Sequence, residues 1–294
     1  MYTEKNVKVI LSNDTIRKEF ITSCLPQYCK RKRNGDLKYD DSNGKSLKFI
    51  VDLLNKLGSD NEMFYNYVCK KVISKGGRFY DIANNYDKYR SLELDLSKEI
   101  SKSGKDDYSP DTFENQIVKP WFRKVLEEKK SIEEIVESFY KDISHEALNT
   151  ALSRCKKQLK NDLAEYDLFT KSNGKFLPAV KHGRNQKADG VLLNKNGVVE
   201  DLNIKTSRWA EFFYDGITAR EAAILLYSEQ KPEWFQSADR TYIILPSCNG
   251  EKPNEELSLE EQLNRNITDI KFEYKKGNKK GMYDVSSVKV VFLD

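Results

Sequence analysis

The apolar pattern of this chain changes its period once, after Phe169, and that change limits what the chain can fold into. Upstream, apolar residues recur at spacings of three and four. Leu47, Ile50, Val51, Leu54 and Leu57 mark one face of a helix that Gly58 stops. Ser59-Asp60-Asn61-Glu62 supplies a capping-box-like start for the next helix, through Phe64, Val68 and Val72 to Gly76-Gly77. A third helix is expected from about Tyr86 to Lys102, although Leu92-Glu93-Leu94-Asp95-Leu96 alternates as a strand would. The polar stretch from Lys105 to Pro110 reads as a loop or linker. Ser131-Ile132-Glu133-Glu134 opens a helix to about Asp142, and Leu148, Leu152, Cys155, Leu159, Leu163 and Tyr166 trace the strongest helical stripe.

Downstream the period becomes two. Phe176 to Val180 and Gly190 to Leu193 read as strands, and Asn196-Gly197 as a two-residue hairpin turn. Val198 to Thr206 is the return strand. Thr218 to Glu229 is expected to be helical, Tyr242 to Leu245 a buried strand, and Val285 to Leu293 to contain another. The chain is therefore α/β: a mainly helical region over residues 1–145 precedes a core of strands and helices over 146–294.

Composition narrows the class. The 14 Phe, 16 Tyr and 3 Trp are too many for a disordered chain, and no apolar run approaches the roughly 20 residues of a membrane span. Fifty Lys and Arg against 46 Asp and Glu leave a net charge of +4, so a polyanionic partner has to be sought in local charge clusters. Cys24, Cys29, Cys69, Cys155 and Cys248 are odd in number and scattered, with only His145 and His182 to supplement them. That disfavours both a zinc site and a disulfide framework and fits a reducing cytoplasm. Phosphate-binding glycine loops and dinucleotide fingerprints are absent, so no nucleotide cofactor is expected.

The hairpin carries the chemistry. Alternation places Leu202 and Ile204 on one face and Asp201, Asn203 and Lys205 on the other, where Asp189 at the head of the partner strand can join them. Carboxylate and amide oxygens beside a lysine suit metal-assisted phosphodiester hydrolysis: oxygens hold Mg²⁺, and the lysine orients water or offsets developing charge. Asp189, the turn, and Asn203-x-Lys205 resemble the PD-(D/E)xK signature of restriction-endonuclease-like nucleases, and Asn203-Ile204-Lys205-Thr206 resembles the Asp-Ile-Lys-Thr of EcoRV-type enzymes. The resemblance covers roughly Glu146 to Leu245, because members of that family carry a helix before the hairpin and a helix plus a strand after it.

The chain departs from the family pattern at two positions. Ala188 replaces the proline, and Asn203 occupies the acidic slot. Three explanations of Asn203 stay open at this level: Asp201 supplies the missing charge, the enzyme is a slower natural variant, or an Asp→Asn change has inactivated it. Asp162 and Glu165 on the preceding helix are further candidate ligands, with a solvated helix face as the plainer reading. Lys181-His182-Gly183-Arg184-Asn185-Gln186-Lys187 leads into the site, and Thr206-Ser207-Arg208 follows it. Lys and Arg there can pair with phosphates, while Arg, Asn and Gln can read base edges. Lys30-Arg31-Lys32-Arg33 with Asn34-Gly35 is a basic turn able to track a DNA backbone, and Lys275 to Lys280 reads as a solvated hairpin tip.

The resemblance implies a restriction-endonuclease-like mixed sheet flanked by helices, and a bacterial, cytoplasmic type II restriction endonuclease. Such an enzyme cuts double-stranded DNA at a short sequence with Mg²⁺, usually as a homodimer. Asp189, Asn203 and Lys205 would be catalytic; Asp189, Asn203, Asp201 and Glu165 would hold metal; Lys181, His182, Arg184, Asn185, Gln186, Lys187, Thr206, Ser207 and Arg208 would contact DNA. The competing readings are a DNA-binding protein that has lost catalysis, or a repair or recombination nuclease.

Overall fold

The computed structural model describes residues 1–39, 46–58, 61–99, 159–181, 188–207, 241–246, 257–265, 267–276 and 279–293. The chain divides into two compact units: residues 1–80 with 166–294, and residues 81–165. The divisions thus fall at 80/81 and 165/166, while the boundary expected at 145/146 lies outside the described residues.

In the first unit, α1 (Glu4–Ile10) begins at a Thr3 cap, whose hydroxyl accepts from the Asn6 N–H while the Asn6 side chain accepts from the Thr3 N–H. This reciprocal pair satisfies two of the donors that a helix start leaves open. Burial of Val7, Val9 and Ile10 fixes the inner face of α1, each full apolar side chain contributing about 1.5–3 kcal/mol. Asn13 caps α2 (Asp14–Cys24) in turn. A short hairpin of β1 (Lys30–Arg31) and β2 (Leu37–Lys38) follows. The expected stripe of α3 (Ser46–Leu57) is buried at Leu47, Ile50, Val51 and Leu54, but Leu57 is exposed at the helix end before Gly58. The next helix, α4 (Glu62–Ile73), starts at an Asn61 cap accepting from the Phe64 N–H and buries Phe64, Tyr67, Val68 and Val72. Phe20 meets Phe64 and Tyr67 edge-on, with ring centroids 5.3 and 5.0 Å apart, which locks α2 against α4.

The sheet has six strands in the order β3-β4-β5-β6-β8-β7, from β3 (Phe176–Pro178), β4 (Gly190–Leu193), β5 (Val199–Ser207), β6 (Thr241–Pro246), β7 (Ile267–Lys276) and β8 (Lys279–Val290). β3, β4 and β5 are successively antiparallel, β5–β6 and β6–β8 are parallel, and β7 returns antiparallel to β8. The architecture is mixed α/β. Lys276 pairs with Lys279, so β7 and β8 form the hairpin expected around Lys275 to Lys280. The β4–β5 turn is one residue longer than Asn196-Gly197 alone predicts. Asn194 and Val198 close it around Lys195, Asn196 and Gly197, because the Asn194 Oδ1 accepts from the N–H groups of Asn196 and Val198 and Gly197 takes φ +70°.

In the second unit, α5 (Tyr80–Glu99) is helical through Leu92 to Leu96, so the expected helix forms there despite the strand-like alternation; its continuity is interrupted at Asn85 by non-helical φ/ψ. Leu159 and Leu163 of α6 (159–171) are buried as the stripe predicts. Back in the first unit, a short helix, α7 (Leu259–Asn264), precedes β7. The expected helices at Ser131–Asp142 and Thr218–Glu229, and the linker at Lys105–Pro110, lie outside the described residues. None of the described helices is long and apolar enough to cross a membrane.

Candidate active site on the hairpin

Gly190 opens β4 where β3 closes on it most tightly. A Cβ at 190 would stand 2.4 Å from the Leu177 carbonyl and 2.5 Å from the Phe176 ring, so only glycine lets the strands meet and seats Asp189 at the strand's head. The Asp189 N–H donates to the Leu202 carbonyl at 2.8 Å and its own carbonyl accepts from Ala179 N–H at 3.0 Å. Its Oδ2 then accepts from the Ile204 N–H at 2.8 Å. A carboxylate oxygen thus takes the place of the next ladder carbonyl. It lies beside the one residue that separates Asn203 from Lys205.

Asn203 is buried, and its amide makes no hydrogen bond to any described residue. Lys205, two residues on, is half-buried. The structure therefore brings Asp189, Asn203 and Lys205 to one stretch of the hairpin, as the alternation predicts.

Asp201 shares this face but not this setting. Its Oδ1 accepts from the Asn6 Nδ2 at 2.5 Å, and its Oδ2 lies 3.1 Å from the Lys5 ammonium. The side chain is 2% exposed against 48% for Lys5. The face expected to be open is covered here by α1, so Asp201 joins the helix to the sheet: its Oδ1 is hydrogen-bonded, while its buried Oδ2 has the Lys5 ion pair but no hydrogen bond.

Arg78 carries no sequence signal, yet it is the neighbour that Asp189 gains from the N-terminal helices. The Gly76-Gly77 turn delivers it: Gly76 takes φ +79°, and a Cβ on Gly77 would stand 2.1 Å from the Lys71 carbonyl. The Arg78 N–H donates to Val180 at 3.1 Å, and its guanidinium donates to the Asp189 carbonyl and lies 3.9 Å from the Asp189 Oδ1. With Arg78 2% exposed, the Asp189 side chain is 23% exposed. Spacing along the sequence gives no hint of this contact, because the residues are 111 positions apart.

The other candidates fall elsewhere. Lys181 is exposed, and its N–H donates to the Ser12 hydroxyl at 3.2 Å. Thr206 is half-buried, and Ser207 ends β5. His182, Arg184, Asn185, Gln186, Lys187 and Arg208 lie outside the described residues, as does His145. Glu165 and Asp162 belong to the second unit, the first buried and the second half-buried. Cys24, Cys29 and Cys69 are free thiols whose pKa burial pushes up, away from reactivity. On the opposite face of the sheet, burial pushes the Lys289 ammonium below its ordinary pKa against the attraction of Glu200.

Among the described residues no group of three or more acidic, histidine or cysteine side chains converges to hold a metal. The donors at the hairpin are one carboxylate and one amide oxygen without a described partner. That set fits Mg²⁺ in kind, since this ion is held through one or two carboxylates and completes its shell with water and substrate phosphate. Comparison with family models, with curated proteins and with solved structures finds no match.

Proposed function

We propose that the chain is a Mg²⁺-dependent endonuclease of double-stranded DNA, of the type II restriction class and acting as a homodimer, with the β4–β5 hairpin as its active site. One observation carries the reading: the Asp189 carboxylate is fixed on the Ile204 N–H, between Asn203 and Lys205. Support also comes from the sheet, where an antiparallel hairpin preceded by helix α6 is continued by a parallel strand, β6.

In this reading Asp189 and Asn203 hold the ion through their side-chain oxygens. A Mg²⁺ ion held there would supply Lewis acidity toward the scissile phosphate and an attacking water. Lys205 does the rest from the protein side. Its ammonium would hold the water in line by hydrogen bonding and offset the charge that accumulates on the phosphoryl oxygens. Arg78 keeps the Asp189 backbone in place, so the carboxylate meets the ion without reorganising.

A second reading, a DNA-binding protein without catalysis, is favoured by the neutral Asn203 together with a guanidinium 3.9 Å from the remaining carboxylate. Both features weaken cation binding. Digestion of mixed plasmid and phage DNA with Mg²⁺ separates the readings, comparing the chain with Asn203→Asp. Discrete fragments from both establish a working enzyme, and fragments from Asn203→Asp alone mark Asn203 as the lesion. Salt-sensitive binding with no cutting by either supports the second reading, and absence of DNA binding overturns both.

A further inference from the structure

We propose that the β1–β2 ribbon is a DNA-engaging arm, whose occupant is the major groove and flanking phosphates of a duplex; this rests on the nucleic-acid reading above. The ribbon concentrates positive charge on a short, exposed segment. Lys30, Arg31, Lys32, Arg33 and Lys38 are all exposed, and none of them forms an ion pair with a described residue. The single acid, Asp36, is tied down: its Oδ2 accepts from the Asn34 Nδ2 at 2.6 Å.

The shape is as specific as the charge. Lys30 pairs with Lys38 and Arg31 with Leu37, so successive cations alternate between the two faces of the ribbon. The Lys32 N–H donates to the Asp36 carbonyl at 2.8 Å and the Gly35 N–H to the Lys32 carbonyl at 3.0 Å, with Gly35 at φ +87°, which closes a narrow tip. At the root, Tyr28 and Tyr39 flank Phe49 of α3 with centroids 5.0 and 5.5 Å away, clamping both legs to the helix. The arm is therefore held in place before any partner arrives, which lowers the ordering cost of binding.

These features select one polyanion. A two-stranded β-ribbon enters the major groove of B-form DNA, whereas the major groove of A-form RNA is too narrow for side chains to read. A membrane surface calls for apolar side chains interleaved with the cations, and the tip from Lys30 to Asp36 has none.

The test measures binding of the full-length chain to a short DNA duplex and to the matching RNA duplex in EDTA, across a range of salt. The variant replaces Lys30, Arg31, Lys32 and Arg33 each with Gln. A control replaces Lys48 and Lys56, exposed on α3, with Gln. Removing one phosphate partner should lower the slope of log affinity against log salt by about 0.9. The four-residue variant is therefore expected to give up about 2–4 in slope and at least about tenfold in affinity at low salt. A Lys32→Gln, Arg33→Gln pair at the tip should show about half of that decrease, and serves if the larger variant folds poorly. An unchanged slope, an equal decrease in the control, or a decrease on RNA as large as on DNA each overturns the arm. If the chain cuts DNA while the slope stays put, the arm alone fails. If the unmodified chain has no salt-dependent affinity, the nuclease reading fails with it.

Discussion

Asp189 and Asp201 sit on the two strands of one hairpin and end in opposite situations. Asp201 lies under α1, where Asn6 and Lys5 take its two oxygens and its side chain is 2% exposed. Asp189 stands at the head of β4, where it holds one backbone N–H, borders Arg78 and keeps 23% of its side chain exposed. The same residue type thus serves as a fastening at one end of the strand pair and as an available ligand at the other. What separates them is the partner each meets: Asp201 meets the Asn6 amide and the Lys5 ammonium of α1, whereas Asp189 meets the Ile204 N–H and the Arg78 guanidinium. Along β5 the described residues pass from buried at Asp201 to half-buried at Lys205 and Thr206.

The sharpest way to break this comparison is through activity. Lys205→Ala in the cutting-competent form should lower cleavage by about 10²–10³-fold, the usual cost of one positioned charge at a developing oxyanion, with little change in stability because the lysine is half-exposed. Asp189→Asn should do likewise and should also weaken Mg²⁺ binding followed by calorimetry. If Asp201→Asn costs as much cleavage as Asp189→Asn at equal folding, the two carboxylates have been given the wrong roles.

The next effect is on stability. Asp201→Ala leaves the Asn6 amide buried without its acceptor and should cost about 1–3 kcal/mol in urea unfolding. Asp201→Asn, which keeps an acceptor for Asn6, should recover much of that. Replacement of Arg78 by Met removes one of two donors to the Asp189 carbonyl, which keeps the Ala179 N–H, and should cost less, about 0.5–1.5 kcal/mol, whereas Arg78→Lys keeps the charge but gives up the two-pronged reach that joins carbonyl and carboxylate. Because the guanidinium stands near Asp189, Arg78→Met should in addition tighten Mg²⁺ binding at that carboxylate, a change that a purely structural role does not produce.

The two ends of β5 are unequally legible in the sequence. Period-two alternation and the Asn-Gly turn are enough to bring Asn203 and Lys205 together and to set Asp189 near them, since strand geometry is local. The turn itself grows by a residue because the Asn194 side chain competes for the N–H groups that a tighter turn would use. Asp201 escapes a local reading for a different reason. Asn6 lies 195 positions away, and no local pattern announces which helix will cover a face. Arg78 is hidden in the same manner, behind a Gly-Gly that reads only as a helix stop. The basic turn at Lys30 is visible as charge, but its rigidity depends on Phe49, a contact between distant positions.

The smallest effect is the most discriminating about how α1 holds Asp201. Lys5 is 48% exposed, so its ion pair works largely in water, is screened by salt and should be worth no more than about 1 kcal/mol. Lys5→Met is therefore expected to shift the urea midpoint only slightly, and less still at high salt. The Asn6 contact, buried on both sides, should carry the fastening instead, so Asn6→Ala is expected to cost more than Lys5→Met at every ionic strength. A Lys5→Met variant as damaged as Asp201→Ala would mean that the carboxylate depends on a compensating charge rather than on a hydrogen bond. Asp201 would then be poised to accept a different cation once Lys5 is displaced, and the distinction between the two ends of β5 would disappear.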